Sequence, residues 1–248
     1  MGRLQCHFGM ATIQEREQSL YEALETLPYS DSSISVYLND YARLKPWMAN
    51  RKYYNCEFLL AKDCAGDLGD AGKFYRFSDS EADFFLTVDD DILYPSDYAD
   101  SMTRWSQRLG PRAIVCAHGR VFPDRTTPIR TFFDQSMGVE VLHFSQTQQS
   151  LRRVHVGGSG AMCFHTKPPN PQIPYRDIFL KERNVADVWI AASCIRKKIP
   201  IFSVPRPHGW LRPTKSSRSL RSIYDDSIKS QLPLHIFNRE LPSFEISL

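Results

Sequence analysis

Asp89, Asp90 and Asp91 follow directly on the apolar run Phe84-Phe85-Leu86-Thr87-Val88 and precede Ile92-Leu93-Tyr94-Pro95. Three adjacent carboxylates repel one another and raise each other's pKa, a cost that a cation among them removes. A divalent metal is the simplest such cation, and oxygen ligands of this kind suit Mg²⁺ or Mn²⁺. Phe84 to Val88 has the length and composition of a buried strand. That places the carboxylates at a strand's C-terminal end, where open α/β sheets bind ligands. Alternation along the strand would turn Asp89 and Asp91 to one side and Asp90 to the other. The competing reading is a solvated acidic turn closed by Pro95.

Other stretches offer chemistry of their own. Gly157-Gly158-Ser159-Gly160 puts small residues between two strand-like ends, as expected where backbone runs close to a ligand. Asp187 opens an apolar helical run and reads either as a proton acceptor or as a helix cap. His208, between Pro207 and Gly209, is a nitrogen ligand or a surface histidine. From Arg206 to Arg221 the chain carries Arg206, Arg212, Lys215, Arg218 and Arg221 with no acidic residue. Such a run serves as a lid over phosphates, a contact for anionic lipid, or a solvated basic tail. The stretch Gly66-Asp67-Leu68-Gly69-Asp70-Ala71-Gly72-Lys73 is neither a P-loop nor a dinucleotide fingerprint, and reads as a ligand loop or a plain glycine-rich turn.

The elements that would hold these residues follow from periodicity. A strand over 6–12 precedes a helix marked by Leu20, Ala23, Leu24 and Leu27, which Pro28 ends. Ile34 to Leu38 alternates as a second strand leading into Asn39-Asp40, and 57–60 is a third. This strand-helix-strand opening seeds a parallel sheet. After the acidic cluster, Ser96 to Leu109 reads as a helix capped by Ser96, and Ala113 to Ala117 as a buried strand. Residues 121–149 have no clean period and read as an insertion shaping an acceptor pocket. Pro168 to Pro174 is a proline-rich loop, Asp187 to Ile195 a helix and Ile199 to Val204 a last strand.

Composition narrows the classes. With 248 residues, 42% hydrophobic and 12% aromatic, the chain buries a sizeable core. Its 31 Lys and Arg against 28 Asp and Glu give a net charge of +3, too balanced to argue for nucleic-acid binding. The six cysteines form no C-x-x-C pair and suit reduced thiols in a cytosol. No apolar segment reaches membrane-spanning length, and no signal peptide opens the chain. The expectation is a cytoplasmic protein with possible peripheral membrane contact through its basic C-terminal segment.

The order of strand, helix, strand, carboxylate cluster, glycine loop, acidic helix start and late histidine resembles the GT-A fold glycosyltransferases, family 2 in particular. The resemblance covers most of the chain and implies an α/β fold with a mixed, mainly parallel sheet flanked by helices. Residues 1–210 would form the catalytic domain, with 1–95 as the nucleotide-sugar half and 96–210 as the acceptor half, leaving 211–248 as a mobile basic segment. Asp89-Asp90-Asp91 resembles the family's Asp-x-Asp motif, which implies a metal held by Asp89, Asp91 and His208 against a donor diphosphate. Asp187 is implied as general base, although Ala186 replaces the usual Glu before it. Thr12, Arg16, Asn39, Asp40, Lys73, Asp89, Asp90, Gly158, Ser159 and, through the lid, Arg212 are the implied donor contacts. Gln14 stands where proline is frequent, and the Gln-x-x-Arg-Trp signature of processive synthases is not found. The implied activity is a metal-dependent, inverting, single addition of a sugar from a nucleoside-diphosphate-sugar to a hydroxyl of a glycan, polysaccharide or lipid-linked acceptor. A metal-dependent nucleotidyltransferase or phosphohydrolase, and a silent carbohydrate-binding protein, are the alternatives.

Overall fold

The computed structural model describes residues 4–28, 32–122, 139–169 and 183–215. Strand β1 (Cys6–Thr12) leads through a 3-10 turn at Gln14–Arg16 into helix α1 (Glu17–Leu24). Strands β2 (Ser32–Leu38) and β3 (Cys56–Leu60) follow, then a 3-10 helix at Gly69–Phe74 and strands β4 (Phe84–Asp89) and β5 (Ile92–Leu93). Helix α2 (Tyr98–Leu109) precedes β6 (Ile114–Cys116), β7 (Gly119–Val121), β8 (Glu140–Leu142), β9 (Arg152–Val154), β10 (Val156–Gly157) and β11 (Ala161–His165). Helix α3 (Ala186–Arg196), β12 (Ile201–Ser203) and β13 (Arg212–Pro213) complete the described chain.

The central sheet has the order β3-β2-β1-β4-β11-β6-β12-β9. Strands β1 to β4 run parallel, β11 is antiparallel to both its neighbours, β6 and β12 are parallel, and β9 is antiparallel to β12. Phe84, Phe85, Leu86, Thr87 and Val88 are all buried, as a central strand covered on both faces requires. Phe8, Met10, Leu86, Val88 and Met102 belong to the core under α1 and α2, whereas Phe85, Phe164, Trp189 and Ile190 belong to the core under α3. Helix α3 is apolar nearly all round, with Val188, Trp189, Ile190, Ala191 and Ala192 all buried. The mixed, mainly parallel sheet expected from the sequence is present.

Antiparallel β11 fixes the site, because its first residue, Ala161, pairs with Val88 at the C-terminal end of β4. One edge of the sheet thus gathers the ends of β1, β2, β4 and β6 with the Gly157–Gly160 turn. The glycine-rich stretch packs tightly on the sheet. A Cβ at Gly9 would overlap the Lys73 carbonyl, and one at Gly72 would lie 2.5 Å from the Tyr37 ring. These glycines seat the 69–74 turn against β1 and β2, which places Lys73 at the sheet edge.

Several expectations shift. Helix α2 begins at Tyr98 after Asp97, not at a Ser96 cap, and Asp97 instead accepts from Trp210 Nε1 at 2.9 Å. Strict alternation fails beyond Asp89, because Asp90 and Asp91 form a turn into β5 and not an extension of β4. Folded chain continues past 210: Leu211 is fully buried, β13 pairs with β5, and Thr214 donates to the Asp91 carbonyl at 2.8 Å. Within 121–149, β8 joins β7 and β10 in a three-stranded sheet. The rest of that insertion, most of the proline-rich loop and the basic run beyond Lys215 lie outside the described residues.

Candidate active site

Each carboxylate of the acidic cluster has a cationic side chain beside it. Arg16, in the turn after β1, places Nη2 2.9 Å from Asp90 Oδ1 and 2.5 Å from Asp91 Oδ2. Lys73 Nζ pairs with Asp89 Oδ1 and lies 3.5 Å from the Ser159 carbonyl. Thr12 Oγ1 donates to Asp90 Oδ2 at 2.5 Å. Of these pairs Arg16–Asp90 is buried on both sides and costs much to break on one side, about 3–5 kcal/mol, whereas Asp89 and Asp91 keep part of their carboxylates in solvent. The Tyr94 hydroxyl accepts from the Asp89 N–H at 2.7 Å and donates to the Gly160 carbonyl at 2.6 Å, joining β4 to the glycine turn. A Cβ at Gly160 would overlap the Asp89 carboxylate, and one at Gly158 would lie 2.8 Å from His118. Here small residues are needed because the carboxylate and the turn share one space.

On the other side of the cluster, Asp187 sits in the first turn of α3. Its Oδ1 accepts from Val188 N–H at 3.0 Å, and its Oδ2 lies 3.9 Å from Arg120 Nη1 of β7. Burial raises its pKa, Arg120 opposes the rise, and the charge of Asp89 adds to it. Burial pushes Asp90 up to about 7 despite Arg16, and Asp70 up to about 6 despite Lys73. Burial, then the nearby Asp89 charge, raises Asp91 as well. For Lys73 and Arg16, burial works against the charge, but the surrounding aspartates outweigh it and raise both.

The sequence-derived residues therefore divide. Thr12, Arg16, Lys73, Asp89, Asp90, Asp91, Ser159 and Asp187 converge on the carboxyl edge, with Gly158 in the turn between. Asn39 is committed to backbone: its Nδ2 donates to the Gly69 carbonyl at 3.0 Å and the Thr12 carbonyl at 3.3 Å, and its Oδ1 accepts from Leu68 N–H at 3.1 Å. Asp40 is exposed and accepts from Gln14 N–H at 2.5 Å. Arg212 and His208 are exposed, on β13 and the turn before it. Asp70, Arg120 and Tyr94 were missed. Asp70 carried one signal, a carboxylate three residues before Lys73 in a turn, but its partners are more than a hundred residues away.

The resemblance to GT-A glycosyltransferases implies a divalent cation at this edge. No group of three or more His, Cys, Asp or Glu among the described residues is arranged to hold a metal, so His208 does not complete a trio with Asp89 and Asp91. Five carboxylates (Asp70, Asp89, Asp90, Asp91 and Asp187) nonetheless face three buried cations (Arg16, Lys73 and Arg120). When all are ionised, two negative charges are in excess, the charge one divalent ion supplies. Asp89 Oδ2 and Asp91 Oδ1 stay uncommitted among the described residues, on side chains 34% and 27% exposed. Two carboxylates plus substrate phosphates is the usual Mg²⁺ arrangement, and it needs no protein cage. The residues fit a cation that arrives with an anionic substrate.

In comparisons with solved structures, S. aureus TarS 1-349 in complex with UDP-GlcNAc superposes with a TM-score of 0.58 at 11% identity, covering 99% of this chain and 68% of that one. The same protein in complex with UDP gives a TM-score of 0.54 at 12% identity, over 98% and 67%. The longer S. aureus TarS chain gives 0.51 at 11%, and here the match spans 44% of that chain. The fold is GT-A. No protein-family model matches this sequence, and no curated protein does. The likeness to TarS is thus one of fold, and the site rests on the geometry above. No described helix is long and apolar enough to cross a membrane.

Proposed function

We propose that the chain is a metal-dependent, inverting glycosyltransferase that moves a sugar from a nucleoside-diphosphate-sugar to a hydroxyl of a glycan, polysaccharide or lipid-linked acceptor. The convergence of Asp187 and the Asp89–Asp91 cluster at the carboxyl edge of a GT-A sheet carries this reading. The UDP-GlcNAc and UDP complexes of TarS make a uridine nucleotide the first donor to try. Within the proposal, residues 1–95 bind the donor, 96–210 shape the acceptor side, and the basic run from Arg212 onward closes over the diphosphate or meets anionic lipid.

The chemistry needs a leaving diphosphate and a deprotonated hydroxyl. Lys73 and Arg16 stand at the end of β4, where the diphosphate would lie, and the glycine turn lets Asp89 pack beside it at that edge. Asp187 Oδ1 is held by the Val188 N–H, whereas Oδ2 has only the longer 3.9 Å approach of Arg120 Nη1 and is the atom left to accept a proton. It takes the acceptor's proton as the acceptor oxygen bonds to the anomeric carbon. The bond from that carbon to the phosphate oxygen breaks, and its electron pair leaves with the nucleoside diphosphate. Attack on the face opposite the leaving group inverts the centre. Burial that raises the Asp187 pKa suits a base working near neutral pH. A divalent cation on Asp89 and Asp91 would offset the charge of the diphosphate.

Asp187→Asn tests the role of the base. Turnover should fall by about two orders of magnitude or more while UDP affinity, measured by calorimetry with Mn²⁺, stays within about twofold. Normal turnover in this variant dismisses Asp187 as base. Under the silent-binder reading Asp91→Asn leaves function intact, so loss of metal-dependent turnover in that variant rejects it.

A further inference from the structure

The turn that carries Lys73 also grips the start of α3. Asp70 Oδ2 accepts from the N–H of Ala186, the residue before Asp187, at 3.0 Å. The Asp70 N–H donates to Asn184 Oδ1 at 3.1 Å, and Arg183 pairs with Asp67. Gly69 takes a φ of +57°, and a Cβ there would lie 2.5 Å from Asn184 Oδ1 and 3.2 Å from Arg183 Cβ. Asn184 itself is left-handed, with a φ of 62°. A non-glycine residue holds that conformation where its surroundings over-determine it. Segments 67–70 and 183–186 are thus closed together by contacts through Asp67, Gly69 and Asp70.

Asp70 has a second side. Its Oδ1 is buried with no hydrogen-bond partner, and its carboxylate lies within the electrostatic reach of Lys73, Asp187 and Asp89. A buried carboxylate that caps a neighbouring helix while facing the acidic cluster's lysine costs stability, and a neutral side chain would cap as well. We propose that Asp70 is a positioning residue: it ties the donor-side turn of Lys73 to the start of α3, and so fixes where the Asp187 carboxylate stands. The proposal rests on the glycosyltransferase reading for its consequence, but not for its geometry. One rigid turn then bears both Lys73, facing the donor phosphates, and Asp70, holding the base, so a displaced turn moves both.

Two measurements on the full chain separate the possibilities. In the first, amide hydrogen exchange over 184–188 is compared for the wild type, Asp70→Asn and Asp70→Ala. Asn keeps an acceptor for the Ala186 N–H and should leave protection nearly unchanged, whereas Ala should raise exchange at Ala186 tenfold or more. Equal protection in the wild type and Asp70→Ala overturns the proposal. In the second, UDP-GlcNAc and other nucleotide-sugars are turned over with Mn²⁺. Asp70→Ala should lower kcat at least tenfold with donor KM within about threefold, and Asn should restore part of kcat. Unchanged kcat in Asp70→Ala, with an active wild type, also overturns it. If Asp70→Ala does not fold, Arg183→Ala opens the same closure from its exposed end and should raise exchange at 184–186; unchanged exchange there counts against the proposal. If the wild type turns over no nucleotide-sugar but Ala186 loses protection in Asp70→Ala, the clamp stands and the glycosyltransferase reading falls.

Discussion

At the residue scale, charge decides what this site does. Asp90 is buried against Arg16 and Thr12, so it supports the turn that presents Asp89 and Asp91 and is itself closed to solvent. Away from the cluster, His155 is buried, with Nδ1 accepting from Phe122 N–H at 2.9 Å, and burial lowers its pKa to about 4. Its neutral form is the folded form. Stability from this group is complete above the unfolded value of about 6.5 and is lost as pH falls from there toward 4, because the unfolded chain binds the proton first. Asp70 and Asp90, raised to about 6 and 7, act with the opposite sign, losing stability as pH rises from about 4. A difference measurement isolates the histidine. His155→Asn retains an acceptor for Phe122 but does not titrate, so the wild type should lose about 1–3 kcal/mol relative to it between pH 7 and pH 4.5 in urea denaturation. Parallel pH profiles for the two proteins contradict the assignment.

At the element scale, the 68–74 turn is held from two sides, by Asn39 at the end of β2 and by Asn184 before α3. Asn39→Ala removes three hydrogen bonds to backbone and should cost about 2–3 kcal/mol, and it should weaken UDP binding through a displaced Lys73. Urea denaturation and calorimetry check both, and wild-type values would return Asn39 to a direct contact or to no role. The strands themselves were legible, since Phe84–Val88 and Ile34–Leu38 declare burial through composition and period, and strand ends locate the carboxylates. Side-chain direction past Asp89 was not, because a turn obeys no alternation. Nor were the cations: Arg16 reaches Asp90 across the β1–β4 pairing, and Lys73 reaches Asp89 only because Gly9 and Gly72 let its turn lie flat. Such partners are matched by fold, not by spacing. Arg16 and Lys73 thus answer part of the repulsion among Asp89, Asp90 and Asp91 without a metal.

At the scale of the whole molecule, the GT-A sheet brings the ends of β1 and β4, with Asp89–Asp91, to the same edge as the start of α3, with Asp187. The match spans less than half of the longer TarS chain, so acceptor choice and assembly are matters for this protein's own sequence. With a formal net charge of +3, the acidic cluster is a local feature of the molecule. The most direct measurement is product analysis after incubation with Mn²⁺, UDP-GlcNAc or another nucleotide-sugar, and a panel of hydroxyl acceptors. The account predicts release of free nucleoside diphosphate, sugar of inverted configuration on an acceptor, and loss of both with EDTA. Release of nucleoside monophosphate or pyrophosphate, or no turnover of any nucleotide-sugar, would contradict it.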